Sequence, residues 1–343
     1  MKKSVVTLAM LCTFAGVTSA ESSVTVYGNI DVGIVYEDGS VAAPLGEKTL
    51  KVTSGVAKSS RLGFRGVEDL GGGLKASFTL ETGYCADGAT DAAPYCGADN
   101  QFMSRKAFVA LDGGFGSVQL GRQDSASYSH QKAVDPFGNG LAGRMGNLFA
   151  AQKRLNNAIA YSLPGMGGFN ATLAYAAGEK PGDTSASRLI DTAVSYTQGP
   201  FYVGLGYDKS YDSSGNAKVK IANIGATYDF GMAKGYLSYQ TTKDDQPAGT
   251  KDENDILVGV SVPLGQGKLM ASHIQHSDER NVPAPQDAHQ TGIGYIYSMS
   301  KRTQLYTSYA KVSNDNGGTK KVGNDSESGS GDKAFNLGVL HSF

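Results

Sequence analysis

Residues 334–343 read AFNLGVLHSF. Phe335, Leu337, Val339, His341 and Phe343 fall on one face of an extended chain, and Ala334, Asn336, Gly338, Leu340 and Ser342 on the other. Side chains of a strand alternate between faces, so a period of two over about ten residues reads as a strand with one apolar side. The same rhythm recurs upstream. Phe201, Val203, Leu205 and Tyr207 alternate with Tyr202, Gly204, Gly206 and Asp208, and Phe169, Leu173 and Tyr175 with Asn170, Thr172 and Ala174. Strands of this length exceed the ~5–6 residues usual in a globular sandwich.

Sixteen such segments can be marked: 24–36, 59–68, 73–84, 103–112, 115–123, 155–163, 168–177, 188–197, 200–207, 219–230, 232–242, 253–263, 267–277, 288–298, 301–312 and 333–343. The gaps between them alternate in length. Seven are short turns, such as 69–72 and 113–114, and eight are long, the longest being 124–154. An even-numbered up-and-down barrel has both termini and all its short turns on one side, and its long loops on the other. Closure leaves no unpaired backbone edge, the condition for strands to cross lipid. Ile224, Ala226, Tyr228 and Phe230 form one outward face, and Ile293, Tyr295, Tyr297 and Met299 another. Tyrosine recurs near strand ends, as an interfacial girdle requires. A sandwich or propeller leaves the alternating gap lengths unexplained. The expected fold is all-β: a 16-stranded antiparallel transmembrane β-barrel with short periplasmic turns and long external loops.

The N-terminus fits this location. Lys2 and Lys3 precede an apolar run from Val5 to Val17 and the small residues Thr18-Ser19-Ala20. That pattern describes a secretory signal peptide at 1–20, with a barrel domain at 21–343. The run is short of the ~20 residues of a spanning helix. Lys2 and Lys3 leave with the peptide, so 29 of the 31 basic side chains face 32 acidic ones, which excludes the basic bias of a nucleic-acid binder. Cys12 also leaves. Cys85 and Cys96 remain, an even pair in an exported chain, which favours one disulfide.

Three blocks then resemble a known family. Residues 23–28 (SVTVYG), 60–76 (SRLGFRGVEDLGGGLKA) and 115–122 (FGSVQLGR) are similar to the general porins of Gram-negative bacteria, closest to the β-proteobacterial branch. Residues 300–306 (SKRTQLY) and the terminal His341-Ser-Phe343 fit the same family. The resemblance implies homotrimers of sixteen-stranded barrels, each with its own water-filled pore narrowed by an inward-folded third loop. It also implies passage of ions and small hydrophilic solutes, contact with outer-membrane lipid and lipopolysaccharide, and Phe343 as the signal read by the barrel assembly machinery. No cofactor, metal or nucleic-acid partner is expected.

A pore acts by size and field, and charged rings at a constriction select the sign of the ion. Parity places Arg61 and Arg65 inward beside outward Leu62 and Phe64, and Lys75 and Glu81 inward beside outward Leu74, Ala76, Phe78 and Leu80. Arg154 continues the inward series Asn156 and Ala158. The family's pore arginines carry over to Arg61, Arg105 and Arg154. Arg105 conflicts with parity, since it alternates in phase with Val109 and Leu111; either a bulge turns it inward or that strand lies against a neighbouring subunit, where the lipid rule lapses, and Lys106 is the substitute. Asp124 and Asp135 of the third loop are expected to oppose the arginines. Bases outnumber acids in this set, so a mild anion preference is expected.

Signals for chemistry are weak. His130 lies near Ser125, Ser127 and Ser129, but nearness in sequence does not position a nucleophile on a base. His273 and His276 fall on opposite strand faces. Residues 314–332, acidic and rich in Gly and Ser, read as a mobile external loop. The alternatives to a general diffusion porin are a substrate-specific channel, betrayed by saturable block, and an outer-membrane enzyme or adhesin.

Overall fold

The computed structural model describes residues 23–39, 48–88, 102–244 and 251–343. Before the longest loop come β1 (Ser23–Asp38), β2 (Thr49–Ser54), β3 (Arg61–Gly71), β4 (Leu74–Gly83), β5 (Lys106–Gly113) and β6 (Gly116–Asp124). The loop carries α1 (Ala126–Ala133) and a 3-10 turn at Met145–Asn147. Next are β7 (Arg154–Ser162), β8 (Phe169–Ala176), β9 (Leu189–Gln198), β10 (Phe201–Tyr211), β11 (Ala217–Asp229) and β12 (Lys234–Asp244). The chain ends with β13 (Asp252–Leu264), β14 (Gly267–Asp278), β15 (Ala288–Ser298), β16 (Thr303–Asn314) and β17 (Lys333–Ser342). Apart from β2 and β3, which both pair with β1, consecutive strands pair antiparallel, and β17 returns to β1, so the sheet closes into a barrel. At the seam Gly28 and Phe343 exchange two backbone hydrogen bonds of 3.1 Å, and Asn29 stands opposite Ser342.

The barrel has sixteen strand positions but seventeen strands. Ser23–Asn29 of β1 pairs with β3, while Val32–Glu37 pairs with β2. β2 and β3 therefore share one position, interrupted by residues 55–60. β2 lies inside the long gap expected at 37–58, where Leu50 and Val52 alternate with Lys51 and Thr53. The interruption is held to the inner wall. One Asp31 carboxylate oxygen accepts the N–H groups of Ala57 and Lys58 at 2.8 and 2.6 Å, and the other accepts the Tyr306 hydroxyl at 2.5 Å.

Alternation sorts the two faces as expected. Val26, Ile34, Val109, Ile159, Leu205, Ile224, Leu237, Val258 and Ile293 stand exposed on the outside. Asp208, Asn223, Gln240, Gln290 and Asn336 are buried inside. An apolar wall around a polar interior is the arrangement lipid solvates. At the turn joining β3 to β4, Gly71, Gly72 and Gly73 all take positive φ, of 84°, 61° and 82°, which glycine adopts without steric cost.

The third loop crosses the interior. Ser125 caps α1 by accepting the Tyr128 N–H at 3.0 Å. Asp191 of β9 accepts Ser125 Oγ, Ala126 N–H and Ser127 N–H, and Asp208 of β10 accepts Ser127 Oγ. Further on, the loop lies on a track of glycines. A Cβ on Gly206 would stand 2.9 Å from Ser127 Cβ, on Gly225 2.8 Å from Val134 Cγ2, on Gly259 2.7 Å from Pro136 Cγ and on Gly292 2.6 Å from Gly143 Cα. Val134, Ala142, Met145, Leu148 and Phe149 of the loop pack with Leu257, Ile274, Ala288, Ala310 and Val312 of the wall. The packed core thus lies within the barrel, under the loop. Leu141 is buried at φ 60°, an unfavourable conformation for a non-glycine residue, and its N–H is held by Val56 O at 2.9 Å.

Residues 322–331 do not form the free external loop expected from their composition. Val322 N–H bonds Gly331 O and Asn324 N–H bonds Glu327 O, giving a tight hairpin. Its backbone polar groups find partners on the third loop and on residues 55–60: Gly323 N–H on Asn147 and Asp325 N–H on Val56 O. Small residues allow that close fit. The expected signal peptide at 1–20 and Cys96 lie outside the described residues.

Candidate functional site

Arg61, Arg105 and Arg154 meet around a cavity of about 170 Å³ in the lumen. Lys58, Lys132, Lys153, Asp124, Tyr128 and Asp325 also line it. Four chain segments supply these groups: the wall from β3 to β7, residues 55–60, the third loop and the 322–331 hairpin.

Glu81 of β4 organises two of the arginines. Its Oε1 accepts Arg105 Nε at 2.7 Å and lies 3.8 Å from Arg61 Nη1, while Oε2 accepts the Tyr27 hydroxyl at 3.0 Å. Arg105 points inward because the register slips beside it. Lys106 is paired with Glu81, and the Arg105 N–H also bonds Glu81 O at 3.0 Å. Two residues opposite one is a bulge, which sends both side chains to the lumen. Lys106 Nζ accordingly reaches Asp124 Oδ2 at 3.1 Å.

Asp124, at the end of β6, is shared. Arg154 Nε stands 3.7 Å from Oδ1 and Lys132 Nζ 4.0 Å from Oδ2. The inward series before Ala158 is broken by an irregularity in the β6–β7 register, where Asn157 takes φ 51°. Asn156 is exposed there and accepts a hydrogen bond from Arg122, so it does not join the lumen series.

Asp135 departs from expectation. It is buried, and its carboxylate accepts the N–H groups of Phe137, Asn139 and Met145 at 3.0, 2.8 and 2.9 Å. Burial nevertheless raises it to about 6. Its work is to fold the loop tip. The acid that does reach the cavity is Asp325, accepting Ser59 N–H at 2.6 Å and Ser59 Oγ at 2.7 Å. Burial alone would raise it, but Lys153, the Ser59 bonds and Arg105 hold it down at about 2. Lys153 is itself lowered to about 8, by burial and then by Arg144. The acids are interleaved with the bases and do not form the opposing row the sequence suggested.

Arg65 and Lys75 lie outside the cavity, nearer the short-turn end. Arg65 is exposed and stacks on the Tyr27 ring at 5.5 Å. Lys75 is exposed between Asp69 and Asp112 on the adjoining strands. Phe343 covers Gly28 at the seam, where an added Cβ would meet its ring at 2.5 Å. Lys58, Lys153, Glu81 and Asp325 were not singled out from sequence as constriction residues. Parity had put Glu81 inside; nothing in the pattern placed Asp325.

Arg61, Arg105, Arg154, Lys58, Lys106, Lys132 and Lys153 face Glu81, Asp124 and Asp325, a formal surplus of four positive charges. Two unit charges 4 Å apart interact by about 1 kcal/mol in bulk water and about 4 at an effective dielectric of 20. A surplus of this size in a narrow, low-dielectric wall therefore attracts anions and repels cations by several kT.

Comparison with known proteins agrees with the fold. A family profile described as Gram-negative porin matches residues 7–317. Outer membrane porin protein 32 of Delftia acidovorans is 33% identical over 365 residues, covering 100% of both chains. An outer membrane porin protein of Bordetella pertussis is 30% identical over 369 residues, covering 91% of this chain and 94% of its own. Among solved structures, an anion-selective porin from Comamonas acidovorans superposes with a TM-score of 0.78 at 32% identity, over 94% of this chain and 100% of that one.

Proposed function

The chain belongs to the Gram-negative porin family of outer-membrane channels, and on that premise we propose that its constriction passes small hydrophilic anions in preference to cations. The surplus of basic side chains around the 170 Å³ cavity carries this reading. The similar porin from Comamonas acidovorans bears the description anion-selective. In the proposal Arg61, Arg105 and Arg154 supply the fixed field, with Lys106, Lys132 and Lys153 beside them. Glu81 and Asp124 keep the guanidiniums from repelling one another out of position. Arg65 extends the basic track toward the periplasm, and Lys75 stands at its mouth.

The test is a reversal potential across a planar bilayer separating two KCl concentrations. A potential of the sign set by chloride is expected; one set by potassium would overturn the reading.

Three further points belong to the same proposal. The mature protein begins after Ala20 and assembles as a homotrimer within lipid and lipopolysaccharide. Phe343, seated at the barrel seam, is read by the assembly machinery. Cys85, just beyond β4, pairs with Cys96. A mobility shift on reduction in a denaturing gel would support the bridge, and labelling of two free thiols in the unreduced protein would refute it.

A further inference from the structure

A second cavity, of about 320 Å³, opens in the lumen beneath α1, against β6 to β10. Strand direction places it on the periplasmic side of the constriction. Its walls present the amides of Gln119, Gln123 and Asn170 and the hydroxyls of Ser129, Ser195 and Tyr202. Among the described residues lining it, Asp124 alone is charged, and that carboxylate is turned to Lys106 and Arg154. His130 also lines it. Burial, opposed by a hydrogen bond with Asn223, holds this imidazole down at about 4, so it is neutral near pH 7. The cavity is thus an uncharged, hydrogen-bonding surface beside a strongly cationic one.

One of its polar atoms lacks a protein partner. Nε2 of Gln123 is buried without a hydrogen bond, on a residue only 6% exposed. Leaving such a group unsatisfied costs about 1–3 kcal/mol, so buried polar atoms of this kind mark where something else completes the shell. His130 Nδ1 is engaged by Tyr202 OH at 2.9 Å, and the two rings stack with centroids 5.9 Å apart. That pair fixes the ring and offers a flat surface. The volume sits at the small end of the ~300–1,000 Å³ range of small-molecule sites.

We propose that this cavity is a subsite for an uncharged polyhydroxylated solute of monosaccharide size. Sugar hydroxyls both donate and accept, as amide and hydroxyl linings require. Gln123 would donate to one hydroxyl, the other amides and hydroxyls of the lining would engage its neighbours, and the His130–Tyr202 surface would cover a C–H face. The inference rests on the lumen being a solvent-filled passage but not on its anion preference.

The experiment is chloride current through the full chain in planar bilayers, titrated with glucose. Saturable excess current noise is expected, with the apparent affinity weakened about tenfold in Gln123→Leu, the order of one lost hydrogen bond. A smaller loss is expected in Gln119→Leu. Stepwise openings certify that each variant has folded. Channels that open normally but show only a linear, viscosity-like fall in current overturn the subsite and leave the channel standing. So does saturable noise unchanged by both substitutions, in which case glucose is held elsewhere in the lumen. A saturable signal from gluconate without one from glucose would assign binding to the cationic cluster and also refute the proposal. Absence of openings in the unsubstituted protein would instead refute the channel reading.

Discussion

Replacing Gly292 by alanine tests whether the seat of the third loop on the wall sets the width of the passage. The new methyl group would stand 2.6 Å from Gly143 Cα, where ordinary contact begins at 3.4 Å. Backbone lies on both sides, so the loop must retreat by ~0.8 Å or more, the overpacking response of a filled core. Gly143 is also where the wall holds the loop. Gln290 Nε2 donates to the carbonyls of Gly143 and Arg144 at 3.1 Å each, and Ser272 Oγ to Gly143 at 3.3 Å. Displacement by ~0.8 Å carries all three beyond hydrogen-bonding range, a loss of about 2–4 kcal/mol at ~1 kcal/mol apiece. The loop is wedged on its other side too, with Gly140 against Ala57 O. Movement off β15 therefore goes into the lumen. The shift takes ~0.8 Å from the width of the cavity beside the loop, and conduction follows the free cross-section. Single-channel recording should show lower conductance with added flicker. Gly235→Ala is the control, because its Cβ would meet only Phe230 Cε2 at 3.5 Å. Equal conductance in the two variants and the parent would refute the idea that the glycine track positions the loop.

Three other outcomes are expected. Anion preference should fall between pH 7 and pH 9, because Lys153 gives up its proton as pH rises through about 8; a reversal potential flat over that range would remove Lys153 from the field. Asp325→Asn should raise the anion-to-cation permeability ratio several-fold at low salt, since one charge a few ångströms away is worth about 1 kcal/mol even in water; an unchanged ratio would place Asp325 outside the ion path. Glu81→Gln leaves Arg61 and Arg105 without their common counter-charge, so thermal unfolding should occur earlier, with a cost of about 3 kcal/mol; an unaltered melting temperature would show that the carboxylate is not what holds the pair.

The wall was legible because each strand carries its own two-residue rhythm, so a face can be assigned from neighbours alone. That rhythm placed Arg61 and Glu81 correctly. It misplaced Arg105, because a bulge is a property of two strands in register, and only the pairing of Lys106 with Glu81 reveals it. Parity also turned Gly204 and Gly206 inward without saying what would cover them; the answer, Ser127 and His130, comes from a segment some eighty residues earlier. Asp135 and Asp325 were exchanged for a related reason. An acid in a Pro-Phe-Gly tip reads as pore-facing, and an acid in a Gly/Ser-rich run reads as solvent-facing. Backbone N–H groups captured the first, while Ser59 and Lys153 drew in the second.

The seam between β1 and β17 has a consequence in time. Asn29 meets Ser342, so the two partners are separated by nearly the whole chain. The entropy of closing so long a loop grows only slowly with length, but non-local pairing is slow to form. Until the last strand arrives, the growing sheet carries two unpaired edges, each a template for the wrong chain. A polypeptide shortened at its C-terminus would hold almost all its strand pairs and still expose both. Completion of this wall is therefore a single final event, and the terminal phenylalanine is the residue whose arrival marks it.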